Sequence, residues 1–181
     1  SMGAFFLIQG AAYRRRRLLA FLNPWDDTRG SSFQIIQSFI AFQHGGLKGQ
    51  GLGDGTQKLF YLPEAHTDFI YSVIAEELGI IGCMVVVVLF VCIVVQGLRL
   101  ALRIRDTFGS QLALGLTTLI GSQALLNMAV VTALVPTKGF TLPLVSYGGS
   151  SLIATLGAVG VLLSLSSTIA RSGKMARRRE T

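Results

Sequence analysis

Three titratable side chains lie within five residues of one another, at Glu64, His66 and Asp68. Side chains of these types transfer protons, and a carboxylate can act as a general base toward a hydroxyl group. Thr67 or Asp68 could instead be the N-cap of the helix that the next apolar run predicts, because its side-chain oxygen would accept from a free backbone amide. The segment therefore has a catalytic interpretation and a structural one.

Two further carboxylates, Glu76 and Glu77, directly precede an uncharged run that begins at Leu78. Neighbouring residues of a helix point about 100° apart, so both side chains cannot face the same surroundings. Ionisable groups close to a membrane span are costly and typically functional. The alternative is an interfacial pair at the water-exposed end of the helix.

Lys138 is the only charged residue between Thr107 and Ala170. It lies in a turn bounded by Pro136 and Gly139, and a second turn follows at 146–151. Irregular backbone at membrane depth is tolerated where it is buried in protein or lines a cavity, so the two turns predict a cavity. The alternative is that Lys138 only extends its ammonium group to the membrane interface.

The composition excludes a soluble globular domain. Of the 181 residues, 51% are apolar and 14% are charged, whereas soluble domains carry about 25% charged residues. The uncharged runs reach the roughly 20 residues that a helix needs to cross a bilayer. Such hydrophobicity also excludes a disordered chain.

These patterns predict an all-α polytopic membrane protein, a helical bundle with a large extracytoplasmic loop that contains a short amphipathic helix. The predicted segments are the end of a truncated transmembrane helix (1–12), an extracytoplasmic catalytic loop with the start of the next helix (13–77), transmembrane helices (78–102, 111–134 and 142–170), a cytoplasmic loop (103–110), an extracytoplasmic loop (135–141) and a basic cytoplasmic tail (171–181).

Charge placement sets the predicted topology. The net charge is +7, and five of the 16 basic residues lie after Ala170, as the positive-inside rule requires of a cytoplasmic end. This placement argues against nucleic-acid binding.

Counting the predicted spans back from the cytoplasmic tail puts Lys138 and the 13–77 region outside. The basic cluster Arg14, Arg15, Arg16 and Arg17 also falls outside, where guanidinium groups could bind a phosphate. Alternatively, the preceding segment has the opposite orientation, or a re-entrant hairpin shifts the count by one.

Two parts of the 13–77 region have distinct patterns. Residues 31–43 have an apolar face opposite Gln34, Gln37 and Ser38, which predicts an amphipathic helix lying in the membrane interface, capped by Ser31 or Ser32 and ended by Gly45-Gly46. The glycine-rich segment 45–55 fits neither a dinucleotide-binding nor a Walker pattern. It is interpreted as a flexible external loop.

Together these motifs resemble the SEDS family (shape, elongation, division and sporulation). The resemblance runs from about Tyr13 to Thr168, and Pro-Thr-Lys-Gly at 136–139 is closer to the division branch, FtsW, than to the elongation branch, RodA. The motifs that carry it are FLNPW at 21–25, GQGLG at 49–53, QKL at 57–59, LPEAHTDFI at 62–70, EELG at 76–79, PTKG at 136–139 and LPLVSYGGSS at 142–151.

The resemblance implies a protein of about ten transmembrane helices, of which this chain matches the C-terminal portion. It also implies a peptidoglycan glycosyltransferase that polymerises lipid II. The reaction would take place on the outer face of the bacterial cytoplasmic membrane, at the division septum. Asp68 matches the essential aspartate and would be the general base of an inverting reaction. No cofactor is certain, since arginines, Lys138 or a divalent cation (Mg²⁺ or Mn²⁺) could stabilise the leaving diphosphate. The candidate substrate-binding residues are Arg14, Arg15, Arg16, Arg17, Lys58, Glu64, His66, Lys138, Ser146 and Tyr147.

The implied partners are lipid II, a class B penicillin-binding transpeptidase and other division membrane proteins. Two other classes of function remain open at this point. One is a transporter that moves lipid II across the membrane, in which Glu76, Glu77 and Lys138 would line the path. The other is a non-catalytic scaffold that recruits the transpeptidase.

Overall fold

The computed structural model describes residues 33–51, 53, 68–136 and 139–179. These residues form four helices: α1 (Phe33–Gly45), α2 (Ile70–Arg103), α3 (Thr107–Val131) and α4 (Gly149–Arg179). Within the described ranges, α2, α3 and the Gly149–Thr168 part of α4 are long and apolar enough to cross a membrane. The predicted all-α polytopic class is confirmed.

The bundle is built on the pairing of α2 with α3. The two helices are joined by a short turn in which Asp106 is the N-cap of α3 and accepts a hydrogen bond from the Gly109 amide at 2.8 Å. Gly97 of α2 lies directly against the Thr117 side chain of α3, where any Cβ would collide. Small residues of this kind let membrane helices approach closely.

Helix α1 forms where the sequence predicts it and ends at Gly45, but it does not lie alone in the interface. It packs against α2, and Ser38 on its predicted polar face is fully buried and donates to the Val131 carbonyl at 2.8 Å. Gln37 is buried as well, whereas Phe39 on the apolar face is 41% exposed. Ile35 and Ile36 of the apolar face are buried too, so α1 is packed on both faces. A hydrogen-bond partner on α3 explains the inward position of Ser38. The location of α1 in the membrane interface stays a prediction.

Helix α2 begins later than the capping motif predicts. Phe69 is at the N-cap position, and no side chain makes a capping hydrogen bond there. The first turn is closed by Ser72, whose Oγ donates to the Phe69 carbonyl at 2.7 Å. The N-cap is therefore Phe69, one residue later than Asp68, and Thr67 lies outside the described residues.

The helix is also broken at Gly79, whose φ of 67° and ψ of −167° are not helical. In an unbroken helix, the carbonyls of Glu76 and Glu77 would accept from the amides of Ile80 and Ile81. Here they accept instead from the amides of Gln50 and Gly51, at 3.0 and 3.1 Å. The amides of Ile80 and Ile81 donate to the carbonyls of Gly46 and Leu47, at 3.0 and 3.4 Å. Four hydrogen bonds thus insert residues 46–51 into the break, an arrangement that we call the backbone clamp.

For residues 46–51 of the glycine-rich segment, the backbone clamp corrects the interpretation as a flexible loop. Gly49 lies against the Glu77 carbonyl group so closely that no Cβ fits. A Cβ on Gly79 would come within 2.5 Å of the Gly49 nitrogen and 2.6 Å of the Leu47 oxygen. The glycines therefore serve close backbone contact, one of the two uses to which proteins put this residue.

The third apolar stretch becomes helical at Gly149 rather than at Leu142. Residues 142–148 form turns in which Leu144 has a positive φ of 64°. The Ser146 amide donates to the Leu142 carbonyl at 2.9 Å, and the Leu142 amide donates back to the Ser146 Oγ at 2.7 Å. This reciprocal pair fixes the non-helical segment that leads into α4.

Candidate functional site

One face of α3 collects the segments on which the sequence places its candidate residues. Gln123, Asn127 and Val131 follow one another at intervals of four residues, so they share one side of the helix. Each contacts a different segment: Gln123 the turns before α4, Asn127 the start of α2, and Val131 helix α1. The site is therefore organised by α3.

Asn127 is at the centre of this face and is fully buried. Its Nδ2 donates to the Asp68 carbonyl at 2.9 Å and also to the Phe140 carbonyl. These two carbonyls belong to segments that are separated by 72 positions in the chain. One amide group thus joins the segment of Asp68 to the segment that follows Lys138.

The Asp68 carboxylate itself lies against that second segment. A Cβ on Gly139 would be 3.0 Å from Asp68 Oδ2, so the carboxylate packs directly on the glycine. Asp68 is half-buried. A carboxylate with a fixed backbone and partial access to solvent is suited to accept a proton from a bound hydroxyl group.

The turns before α4 are held in the same way. Gln123 Nε2 donates to the Thr141 carbonyl at 3.2 Å, and the Thr141 hydroxyl pairs with the Ser151 hydroxyl at 2.7 Å. Ser146 is 5% exposed, and its hydroxyl is used inside the turn. Tyr147 is 81% exposed. Substrate binding by these two residues stays a prediction.

The two carboxylates of α2 have different surroundings. Glu76 has no exposed surface, whereas Glu77 is half-buried. The interfacial alternative, given for at least one of the two residues, does not hold for Glu76 and stays open for Glu77. Both residues precede the break at Gly79. Their carbonyls accept the hydrogen bonds of the backbone clamp from the amides of Gln50 and Gly51.

Several predicted site residues lie outside the described residues, and so does the segment 1–12. Within the described ranges, no group of three His, Cys, Asp or Glu side chains is placed to hold a metal ion. The predicted residues outside the described part are Arg14, Arg15, Arg16, Arg17, Lys58, Glu64, His66 and Lys138.

Sequence reasoning missed Gln123 and Asn127. Both are amides in an otherwise apolar span, four residues apart, and polar residues inside a membrane helix usually face a partner within the protein. That signal could have identified them as interior contacts, although it does not say which segments they bind.

Comparison with known proteins finds relatives over most of the chain. Residues 2–170 match the model of a family described as cell cycle protein, FtsW/RodA/SpoVE. A protein named probable peptidoglycan glycosyltransferase FtsW from Geobacter metallireducens is 59% identical over 162 residues, which cover 90% of this chain and 43% of the relative. Stage V sporulation protein E from Bacillus subtilis is 51% identical over 160 residues, covering 88% of this chain and 44% of the relative.

A solved structure is also similar. It is described as "Structural coordination of polymerization and crosslinking by a peptidoglycan synthase complex", and the matching chain is 39% identical with a TM-score of 0.63. The match covers 84% of this chain and 41% of the other. The chain thus spans less than half the length of the relatives that it matches.

Proposed function

The chain belongs to the FtsW/RodA/SpoVE family of cell cycle proteins, and from this premise we propose that it contributes to a peptidoglycan glycosyltransferase that polymerises lipid II. The observation that carries the proposal is the contact of the Asp68 carboxylate with Gly139, since it joins the two most distinctive motifs of the chain. The names of the similar proteins support the same reaction class.

In the proposed reaction, Asp68 is the general base. It takes the proton from the 4-hydroxyl of the N-acetylglucosamine of one lipid II molecule as that oxygen attacks the anomeric carbon of another sugar chain. The bond between the anomeric carbon and the diphosphate breaks, and the diphosphate leaves with the electron pair. Attack from the opposite face converts the α-linkage into a β-1,4 bond, so one carboxylate and a good leaving group are sufficient.

The leaving diphosphate needs positive charge, and Lys138 is proposed to supply part of it. Lys138 directly precedes Gly139, on which the Asp68 carboxylate packs. The arginines at 14–17 are proposed to contribute as well, since guanidinium groups pair with phosphate through two hydrogen bonds. A divalent cation (Mg²⁺ or Mn²⁺) that would share in stabilising the diphosphate stays a proposal, and the described residues alone offer no set of three ligands for one.

We expect Lys138→Gln to slow polymerisation by about ten- to a hundredfold, since a hydrogen bond to a charged group is worth roughly 1.5–3 kcal/mol. Lys138→Arg should restore part of the rate. Initial rates of glycan formation by the natural gene product measure both. Lys48→Gln is the matched control, because Lys48 is an exposed lysine within the backbone clamp segment. A normal rate for Lys138→Gln would leave Lys138 as an interfacial anchor only.

The outer face of the membrane is the proposed location of the reaction, and this can be tested by labelling. The free cysteines Cys83 and Cys92 are first replaced by alanine. An impermeant thiol reagent applied to intact cells should then label cysteines placed at Ser31 or Thr137, but not at Ser172. Labelling at Ser172 alone would reverse the topology and contradict the reaction at the outer face.

We propose as partners a class B penicillin-binding transpeptidase and other division proteins at the septum of the cytoplasmic membrane. The similar structure belongs to a complex that is described as coordinating polymerisation with crosslinking.

The reaction itself is tested with the purified natural gene product and lipid II in the presence of the transpeptidase. Glycan strands longer than the starting disaccharide support the proposal. Movement of lipid II across vesicles without polymer would indicate a transporter, and neither activity would indicate a scaffold.

A further inference from the structure

We propose that Asn127 is a positioning residue that fixes the general base against the turn of Lys138, an inference that rests on the proposed function. Asn127 does not reach the reacting atoms in this proposal. It acts through the backbone of Asp68, to which its side-chain amide donates at 2.9 Å.

The orientation of the amide follows from its partners. Both groups that Nδ2 contacts, the carbonyls of Asp68 and Phe140, are acceptors. Only the NH₂ end of an asparagine side chain can donate to two acceptors at once. The assignment of Nδ2 and Oδ1 is therefore fixed by the hydrogen bonds.

The position of Asp68 makes this contact consequential. The hydrogen bonds of helix α2 begin at the Phe69 carbonyl, which accepts from the Ser72 and Val73 amides. The Asp68 carbonyl precedes this ladder, and it is held instead by Asn127 of α3. The placement of the carboxylate thus depends on α3 as well as on α2.

The burial of Asn127 indicates that the arrangement is more than helix packing. The residue has no exposed surface, and in the described part of the chain its Oδ1 has no hydrogen-bond partner. A buried unsatisfied acceptor is destabilising and calls for an explanation. The explanation we infer is that both N–H groups are needed to hold two loops together at the site.

The expected effect comes from geometry. A displacement of about 1 Å at a reacting group can lower the rate by roughly a hundredfold. We therefore expect Asn127→Leu, which keeps the size but removes both donors, to lower kcat by about ten- to a hundredfold. The KM for lipid II should stay within about threefold, because binding groups elsewhere are untouched.

The matched control is Thr117→Val, ten residues earlier on the same helix. It keeps the shape of a buried side chain and removes a hydrogen bond to the Ala113 carbonyl of α3 itself, so no segment of the site is released. Its kcat should stay within about threefold of the unmodified protein. An equal loss in both variants would mean that loss of any buried hydrogen bond of α3 lowers activity, and would overturn the positioning role.

Asn127→Asp provides a second measurement. A carboxyl group at this position can donate one hydrogen bond when it is protonated and none when it is ionised, whereas the asparagine amide donates at any pH. The rate of this variant relative to the unmodified protein should therefore rise as the pH is lowered. If Asn127→Leu does not accumulate in membranes, the rate of Asn127→Asp relative to the unmodified protein is the test of the proposal. A relative rate that does not change with pH overturns it.

Failure of the inference is distinguishable from failure of the proposed function. If the unmodified gene product polymerises lipid II and Asp68→Asn does not, while Asn127→Leu keeps the normal kcat, only the role of Asn127 is wrong. If the unmodified gene product with its partner makes no polymer, the proposed function is wrong and the inference falls with it.

Discussion

Asp68→Asn is expected to abolish glycan polymerisation, with a loss on the order of 10²–10⁴, the range that a general base contributes. Asparagine keeps the size of the side chain and its hydrogen-bonding oxygen, but it cannot accept a proton at neutral pH. The measurement is polymer yield from lipid II by the natural gene product, with membrane accumulation followed in parallel.

Loss of a cap would not explain such an effect, because asparagine can replace aspartate in that role. Asp106→Asn is the matched control: Asp106 does cap a helix, and asparagine and aspartate are about equally good N-caps. That variant should polymerise at a near-normal rate. Near-normal polymer yield from Asp68→Asn would contradict the general-base role and leave the family's reaction to other residues.

Gly79→Ala is expected to cause the largest loss of folded protein. At φ 67° and ψ −167°, the residue occupies a region that is essentially limited to glycine, where other residues pay about 1–3 kcal/mol in strain. A Cβ there would also meet the backbone of Gly49 and Leu47, and backbone atoms cannot move aside as the end of a flexible side chain can. The variant should accumulate poorly and melt at a lower temperature in detergent.

Gly115→Ala is its control, because a Cβ on this helical glycine has nothing within 4 Å. Alanine is favoured over glycine in a helix by roughly 1 kcal/mol, so this variant should be at least as stable as the unmodified protein. If Gly79→Ala melts at the same temperature as Gly115→Ala, the backbone clamp does not stabilise the fold.

The sequence predicted the elements that depend on composition. Uncharged runs of sufficient length predicted the long helices. Composition was enough for them because hydrocarbon imposes its length and polarity limits on each span separately. The turns at 136–139 and 146–151 predicted a cavity, but the packing of the Asp68 carboxylate on Gly139 was not predicted.

Features that depend on distant partners could not be predicted. The break in α2 occurs at a glycine inside an apolar run, which sequence patterns treat as tolerable in a helix; its cause is a set of amides and carbonyls about 30 positions away. The inward orientation of Ser38 likewise depends on the Val131 carbonyl, 93 positions later. Neither partner is marked by its residue type, since every residue has a carbonyl group.

The backbone clamp also bears on how such sequences can change. It is made of peptide groups, while the side chains of Leu47, Lys48 and Gln50 are exposed. Substitution at these three positions should therefore be permissive, whereas Gly49 and Gly79 should be invariant among functional variants. A saturation library selected by growth would then accept only glycine at positions 49 and 79, and many residue types at positions 47, 48 and 50. The exposed side chains of this segment can therefore change in evolution while its backbone contacts are kept.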